Sequence, residues 1–65
     1  MGVNDYINRI RIEKASLMLI QTDLNISEIS YEVGFTYQRY FSTIFKQIKG
    51  MTPTQFKEEN RRKES

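Results

Sequence analysis

Residues Asn25 to Lys49, with the sequence NISEISYEVGFTYQRYFSTIFKQIK, constrain the fold more than any other part of the chain. They predict two short helices joined at Gly34, because the residue just after a helix often takes a left-handed conformation that suits glycine. In the second helix, at about 100° per residue, the apolar residues fall within one half of the helical wheel. These residues are Tyr37, Tyr40, Phe41, Ile44, Phe45 and Ile48. The pattern predicts a helix-turn-helix pair whose second helix buries one face and leaves a polar face outside.

Helix starts are marked by capping residues. Asn25 and Glu28 are spaced for a capping box, in which each side chain bonds the backbone amide of the other residue. Thr52 and Gln55 repeat this spacing around Pro53, which suits the first helical position. These signals predict an all-α, homeodomain-like helix-turn-helix fold of about four helices, with no strand. The expected ranges are a linker helix at 5–22, then 26–33, a recognition helix at 37–49 and a closing helix at 53–61. Residues 1–4 are expected to be a cloning remnant and flexible start, and residues 62–65 a frayed tail.

The start of the recognition helix lacks the capping box that the other two helix starts have. Thr36 is the expected N-cap, but Arg39 occupies the position where a capping box places Glu or Gln. An arginine in the first turn also faces the positive end of the helix dipole. Residues that break a local rule often have a functional reason, so Arg39 becomes a candidate functional residue.

The composition argues against an enzyme. The 65 residues include no cysteine and no histidine, which removes thiolate ligands and the commonest general base. The acids Glu13, Glu28 and Glu32 lie at caps and on helix faces without a convergent partner. We therefore expect no catalytic residue, no metal and no cofactor. The apolar run Leu17 to Ile20 is too short to span a membrane, and we expect a cytoplasmic protein with no membrane partner.

Charge is unevenly distributed along the chain. The net charge is only +2, but no Asp or Glu occurs from Val33 to Lys57. The cations in that interval are Arg39, Lys46, Lys49 and Lys57. A local excess of positive charge is typical of a protein that binds a polyanion, although a solvated lysine-bearing face is the plainer alternative.

The polar half of the recognition helix has the chemistry of a DNA reader. Arg39 can donate two hydrogen bonds to guanine, and Gln38 can pair with adenine. Serine, threonine and lysine side chains hold phosphates and set the register. An ordinary solvated face is the alternative, but this face carries no acid. The first turn, with Gln38 and Arg39, is where such helices commonly meet base edges.

The first helix is apolar on two sides. Tyr6, Ile10 and Leu17 lie on one side, whereas Ile12 and Leu19 lie on the other. A helix with two apolar faces needs two partners, and the downstream helices can cover only one. The second face is expected either to form a dimer or to pack on a neighbouring domain.

Four segments together resemble the DNA-binding domain of the AraC/XylS family of bacterial transcription regulators. The segments are RIEKASLML (11–19), ISEISYEVGF (26–35), YFSTIFK (40–46) and GMTPTQF (50–56). The resemblance implies a domain of two helix-turn-helix units joined by a long helix, of which this chain is the second half. It implies double-stranded DNA as the partner, and a first unit that packs on Tyr6, Ile10 and Leu17. It also implies contact with RNA polymerase in the parent protein.

The resemblance implies two sets of DNA contacts. The base-reading positions fall on Tyr37, Gln38, Arg39 and Thr43. The backbone contacts fall on Ser27, Thr36, Tyr40 and Ser42, and the position of Lys46 on the helical wheel adds it to this set. The family often has arginine where Thr43 stands and a small residue where Arg39 stands. The chain therefore predicts an arginine reader moved one turn toward the helix start.

Two hypotheses of different classes result. The first is sequence-specific DNA binding as part of a bacterial transcription regulator. The alternative is a protein-interaction module that self-associates or contacts RNA polymerase through the exposed face of the first helix. A response of the chain to DNA, as opposed to a response to its own concentration, distinguishes them.

Overall fold

Four helices follow one another in the computed structural model, which describes the backbone of residues 3–64 and the side chains of residues 5–60. They are α1 (Val3–Gln21), α2 (Ile26–Glu32), α3 (Gln38–Lys49) and α4 (Pro53–Glu64). The described residues contain no strand, and the expected all-α helix-turn-helix fold is confirmed. Of the described helices, none combines the length and apolar character needed to cross a membrane.

The outer helix ends differ from the expected ones. α1 begins at Val3 and not at Asp5, which places the Asp5 carboxylate in the first turn, where the helix dipole favours an acid. Residues 3 and 4 are therefore helical, and the expected start at 1–2 lies outside the described residues. α4 continues past Arg61 and ends at Glu64, so residues 62–64 of the expected frayed tail are helical. Ser65 lies outside the described residues. α1 ends one residue early, at Gln21, and α2 also ends one residue early, at Glu32.

Both capping boxes are formed. The Glu28 amide donates to the Asn25 side chain at 2.8 Å, and the Asn25 amide donates to the Glu28 carboxylate at 3.2 Å. Before α4, the Gln55 backbone amide donates to the Thr52 hydroxyl at 3.1 Å. The Thr52 backbone amide donates to the Gln55 side-chain oxygen at 3.0 Å. These local bonds satisfy amide donors that a helix start leaves unpaired, which sharpens both boundaries.

The expected Thr36 cap is wrong. The N-cap of α3 is Tyr37, which has an extended backbone and no side-chain capping bond, and the helix begins at Gln38. The preceding turn sets this entry point, because the amides of Gly34 and Phe35 donate to Tyr31 and Ser30 in a Schellman motif. Gly34 has φ of 100°, the left-handed conformation that the turn requires.

The core lies between α1 and the other three helices. Its buried residues are Ile12, Ala15, Leu19, Ile29, Val33, Phe35, Phe41 and Phe45. Aromatic rings form a continuous series through it, with centroid distances of 5.3 Å from Phe35 to Phe41, 5.8 Å from Phe41 to Phe45 and 5.5 Å from Phe45 to Phe56. This series fixes the rotation of α3 about its axis and so decides which of its side chains face outward.

Candidate nucleic-acid interface

The outward face of α3 is opposite its buried aromatic residues. Phe41 and Phe45 are fully buried, whereas Arg39, Thr43 and Lys46 are exposed. Arg39 and Lys46 are seven residues apart and therefore differ by only about 20° around the helix. The structure thus places the two cations in line on one exposed face.

The four predicted base-reading residues are all exposed. Tyr37, Arg39 and Thr43 line a shallow depression together with Tyr40, and we call this feature the aromatic hollow. Gln38 is exposed in the first turn of α3 but does not line the aromatic hollow. The base contacts themselves remain predictions.

The five predicted backbone-contact residues are distributed more widely. Lys46 is exposed on α3, Thr36 is exposed in the loop before it, and Tyr40 retains 51% of its surface. Ser42 is half-buried, and so it is less accessible than the sequence pattern suggested. Ser27 is exposed on α2, on a separate element. Their contacts with a phosphate backbone also remain predictions.

Two of the four cations in the acid-free interval are directed elsewhere. The ammonium of Lys49 lies 2.6 Å from a carboxylate oxygen of Glu13 on α1. The ammonium of Lys57 donates to the carbonyl of Leu24 at 3.5 Å. Arg39 and Lys46 therefore carry the positive charge of the exposed α3 face, a smaller charge than the sequence count suggested.

Sequence reasoning missed two residues near this face, one on α1 and one on α3. The side-chain amide of Asn8 donates to the hydroxyl of Tyr40 at 3.4 Å. Gln47, one turn after Thr43 on α3, is exposed and lines a groove with Asp5, Asn8 and Arg9 of α1. The polar position of Gln47 on the helical wheel was a signal for it. Nothing local indicated Asn8, because its partner is 32 residues away.

The second apolar face of α1 is exposed, as its pattern predicted. Tyr6 retains 66% of its surface, Ile10 41% and Leu17 53%. On the opposite side, Ile12 and Leu19 are in the core. The structure therefore leaves one apolar side of α1 uncovered.

A short helix, a Schellman turn and a second helix with an exposed cationic face define a helix-turn-helix DNA-binding domain. Residues 1–59 match the protein family described as "Helix-turn-helix domain". The chain belongs to the AraC family of transcription regulators, as part of their DNA-binding domain.

Relatives from enteric bacteria support this assignment. The chain is 39% identical over 62 residues to the HTH-type transcriptional activator RhaR of Enterobacter sp. (strain 638). The matched region covers 95% of the chain and 22% of that relative. The chain is also 42% identical over 57 residues to RhaR of Salmonella arizonae, and this match covers 88% of the chain and 20% of the relative. The chain thus spans less than a quarter of the length of these relatives.

A solved structure has the same fold. It is the C-terminal domain of the two-component response regulator yesN from Fusobacterium nucleatum, with a TM-score of 0.83 and 40% sequence identity. The similarity covers 88% of this chain and 55% of that one. Together with the family match, this shared fold supports DNA binding in a transcription regulator.

Proposed function

We propose that the chain binds double-stranded DNA sequence-specifically, with α3 in the major groove. The single observation that carries this proposal is the exposed face of α3, where Arg39 and Lys46 lie in line. The whole interval from Val33 to Lys57 supplies no carboxylate to repel a phosphate. Helix α3 is 12 residues long, about 18 Å at 1.5 Å per residue, which suits the major groove.

In this proposal the first turns of α3 read base edges. Arg39 donates to guanine and Gln38 pairs with adenine, because their side chains match those two bases in the major groove. Tyr37 and Thr43 complete the base-facing surface from the aromatic hollow. The arginine is thus near the helix start, where recognition helices commonly approach the bases.

The backbone contacts come from residues around this surface. Lys46 and Tyr40 meet phosphates on α3, and the half-buried Ser42 also contributes. Thr36 in the turn and Ser27 on α2 hold the same backbone on the other side. Lys46 and Arg39 are the two cations of this surface, so binding is expected to fall by roughly 3- to 12-fold between about 50 and 200 mM salt.

The outer face of α1 packs, in the longer protein, on another helix-turn-helix unit. The exposure of Tyr6, Ile10 and Leu17 supports this proposal, as does the small share of its relatives that the chain spans. Burying these three side chains removes an exposed apolar face that a domain of this size does not cover itself.

An amide NMR titration of the 65-residue chain with a short mixed-sequence duplex tests the proposed DNA face. We expect shifts centred on Gln38, Arg39, Thr43 and Lys46 that shrink as salt is raised. The isolated chain is expected to bind non-specific DNA with a dissociation constant of roughly 10⁻⁴ to 10⁻⁶ M. The absence of shifts on α3 at low salt would contradict the proposal.

The alternative function is a protein-interaction module, and the uncovered α1 face is the observation that favours it. It predicts self-association, or contact with RNA polymerase, through Tyr6, Ile10 and Leu17. Sedimentation of the chain at increasing concentration, without DNA, distinguishes the interaction module from the DNA-binding function. A concentration-dependent increase in mass that the Leu17→Lys variant abolishes, with no response to DNA, would favour the interaction module.

A further inference from the structure

The aromatic hollow is an apolar feature on a face that is otherwise polar. Its lining is mostly apolar and comes from Tyr37, Arg39, Tyr40 and Thr43. Tyr37 retains 72% of its surface and Tyr40 51%. The exposed rings of Tyr37 and Tyr40 therefore present apolar surface to water, which an apolar group of a bound ligand could cover.

One wall of the aromatic hollow is held in place before any ligand binds. The Tyr40 ring contacts Phe35 edge to face at a centroid distance of 5.8 Å. The Tyr40 hydroxyl accepts a hydrogen bond from the Asn8 side chain at 3.4 Å. Because Phe35 is buried in the core, this wall keeps its position relative to α3.

The hydroxyl of Thr43 already has a partner. It donates to the carbonyl of Arg39 one turn earlier at 3.1 Å. Its proton is used within the helix, so it is not available to an acceptor on a base. The group that Thr43 adds to the apolar lining of the hollow is therefore its methyl group.

Only one apolar group is displayed on base edges in the major groove, the C5 methyl of thymine, and a threonine methyl is a suitable contact for it. We propose that the aromatic hollow receives a thymine methyl and that Thr43 is the residue that selects for it. This inference rests on the proposed function, because it requires α3 to lie in the major groove.

The position of the thymine relative to the guanine follows from helix geometry. Arg39 and Thr43 are one turn apart, about 6 Å along the helix axis. Successive base pairs are about 3.4 Å apart. The thymine is therefore expected within about two base pairs of the guanine that Arg39 reads.

Removing a single methyl group from the DNA tests this inference. The 65-residue chain is first used to select duplexes from a random-sequence library. Each thymine of a selected duplex is then replaced, one at a time, by deoxyuridine, which lacks only the C5 methyl. We expect one replacement, near the guanine, to weaken binding about fourfold, the effect of one buried methyl-sized group.

Two variants of Thr43 assign the effect to this residue. Thr43→Ser keeps the hydroxyl and removes the methyl, so it should bind the thymine and deoxyuridine duplexes within about twofold of each other. Thr43→Val keeps a methyl and removes the hydroxyl, so it should retain the discrimination. Discrimination that is unchanged in Thr43→Ser would overturn the role of Thr43.

The other outcomes separate the inference from the proposed function. If selection enriches a sequence whose binding depends on Arg39, but no deoxyuridine replacement matters, the thymine assignment is overturned and the proposed function stands. If selection enriches no sequence, sequence-specific binding by this chain is contradicted, and the thymine assignment is overturned with it.

Discussion

The ammonium of Lys49 and the carboxylate of Glu13 lie 2.6 Å apart, and this ion pair ties the last turn of α3 to the middle of α1. The two side chains are 22% and 62% exposed. Solvent therefore screens the pair, and its contribution to stability is small.

We expect the Glu13→Gln variant to lose no more than about 1 kcal/mol of unfolding free energy at low salt, because exposed pairs contribute little. The loss should shrink at about 1 M salt, where the screening length is only about 3 Å. Urea unfolding at the two salt concentrations measures this. Glu32→Gln, the same charge change at an exposed position of α2, is the matched control. An equal loss in both variants would mean that net charge, and not the ion pair, is responsible.

Arg39 and Lys46 should have separable effects on DNA binding. Arg39→Ala is expected to cost about 1–3 kcal/mol on a selected duplex and to relax the preference at one base pair. Lys46→Ala should weaken binding to all duplexes alike and reduce the salt slope by about 1. Binding isotherms on selected and scrambled duplexes at several salt concentrations measure both effects.

Arg39→Lys is the control for the arginine, because it keeps the charge and removes the two-pronged donor geometry. It should retain affinity for scrambled DNA and lose discrimination on the selected duplex. If Arg39→Ala instead weakens every sequence equally, Arg39 is a phosphate contact and its role as a base reader is refuted.

Features set by a few neighbouring residues were predictable from the sequence. Both capping boxes involve residues three positions apart, and both are formed. Gly34 was identified as a helix-end residue, and it has a positive φ. The wheel of α3 correctly predicted the burial of Phe41 and Phe45, which recur at helical spacing. It was wrong for Tyr37 and Tyr40, which belong to the same apolar half but are exposed, because the other helices do not cover the start of α3.

Features set by the packing of distant helices were not predictable. The Asn8 to Tyr40 hydrogen bond and the Glu13 to Lys49 ion pair join residues 32 and 36 positions apart. They depend on how α1 crosses α3, which no local pattern contains. The Thr36 cap failed for a related reason, since the hydrogen bonds of the Schellman turn, and not the capping preference of threonine, determine where α3 begins.

The two helix-end glycines should differ in their tolerance of alanine. Gly50 has φ of 81° and open space around an added Cβ, so Gly50→Ala should cost only the left-handed backbone strain of about 1–2 kcal/mol. At Gly34, with φ of 100°, a Cβ would lie 3.2 Å from the Arg11 side chain. Moving that side chain disturbs its stacking on Phe35, where the guanidinium lies 5.7 Å from the ring centroid. We expect Gly34→Ala to cost about 0.5–1 kcal/mol more than Gly50→Ala in urea unfolding.

A double-mutant cycle tests the reason for that difference. In an Arg11→Met background, Gly34→Ala should cost no more than Gly50→Ala, because the guanidinium that it displaces is absent. If the extra cost persists in that background, the Arg11 contact does not explain it.

Replacement of Phe45 should unfold the domain. Phe45 is fully buried, and it contacts Phe41 on its own helix and Phe56 on α4. A Phe→Ala change in a core typically costs about 3–5 kcal/mol. A single core in a chain of this size rarely supplies more than about 3–5 kcal/mol in total. Phe45→Ala is therefore expected to lose its far-ultraviolet helical circular dichroism and its DNA binding together.

Phe45→Leu is the control variant. It fills most of the same space and should fold with a lower melting temperature. A cooperative transition for Phe45→Ala near the wild-type temperature would contradict the central place of Phe45 in the core.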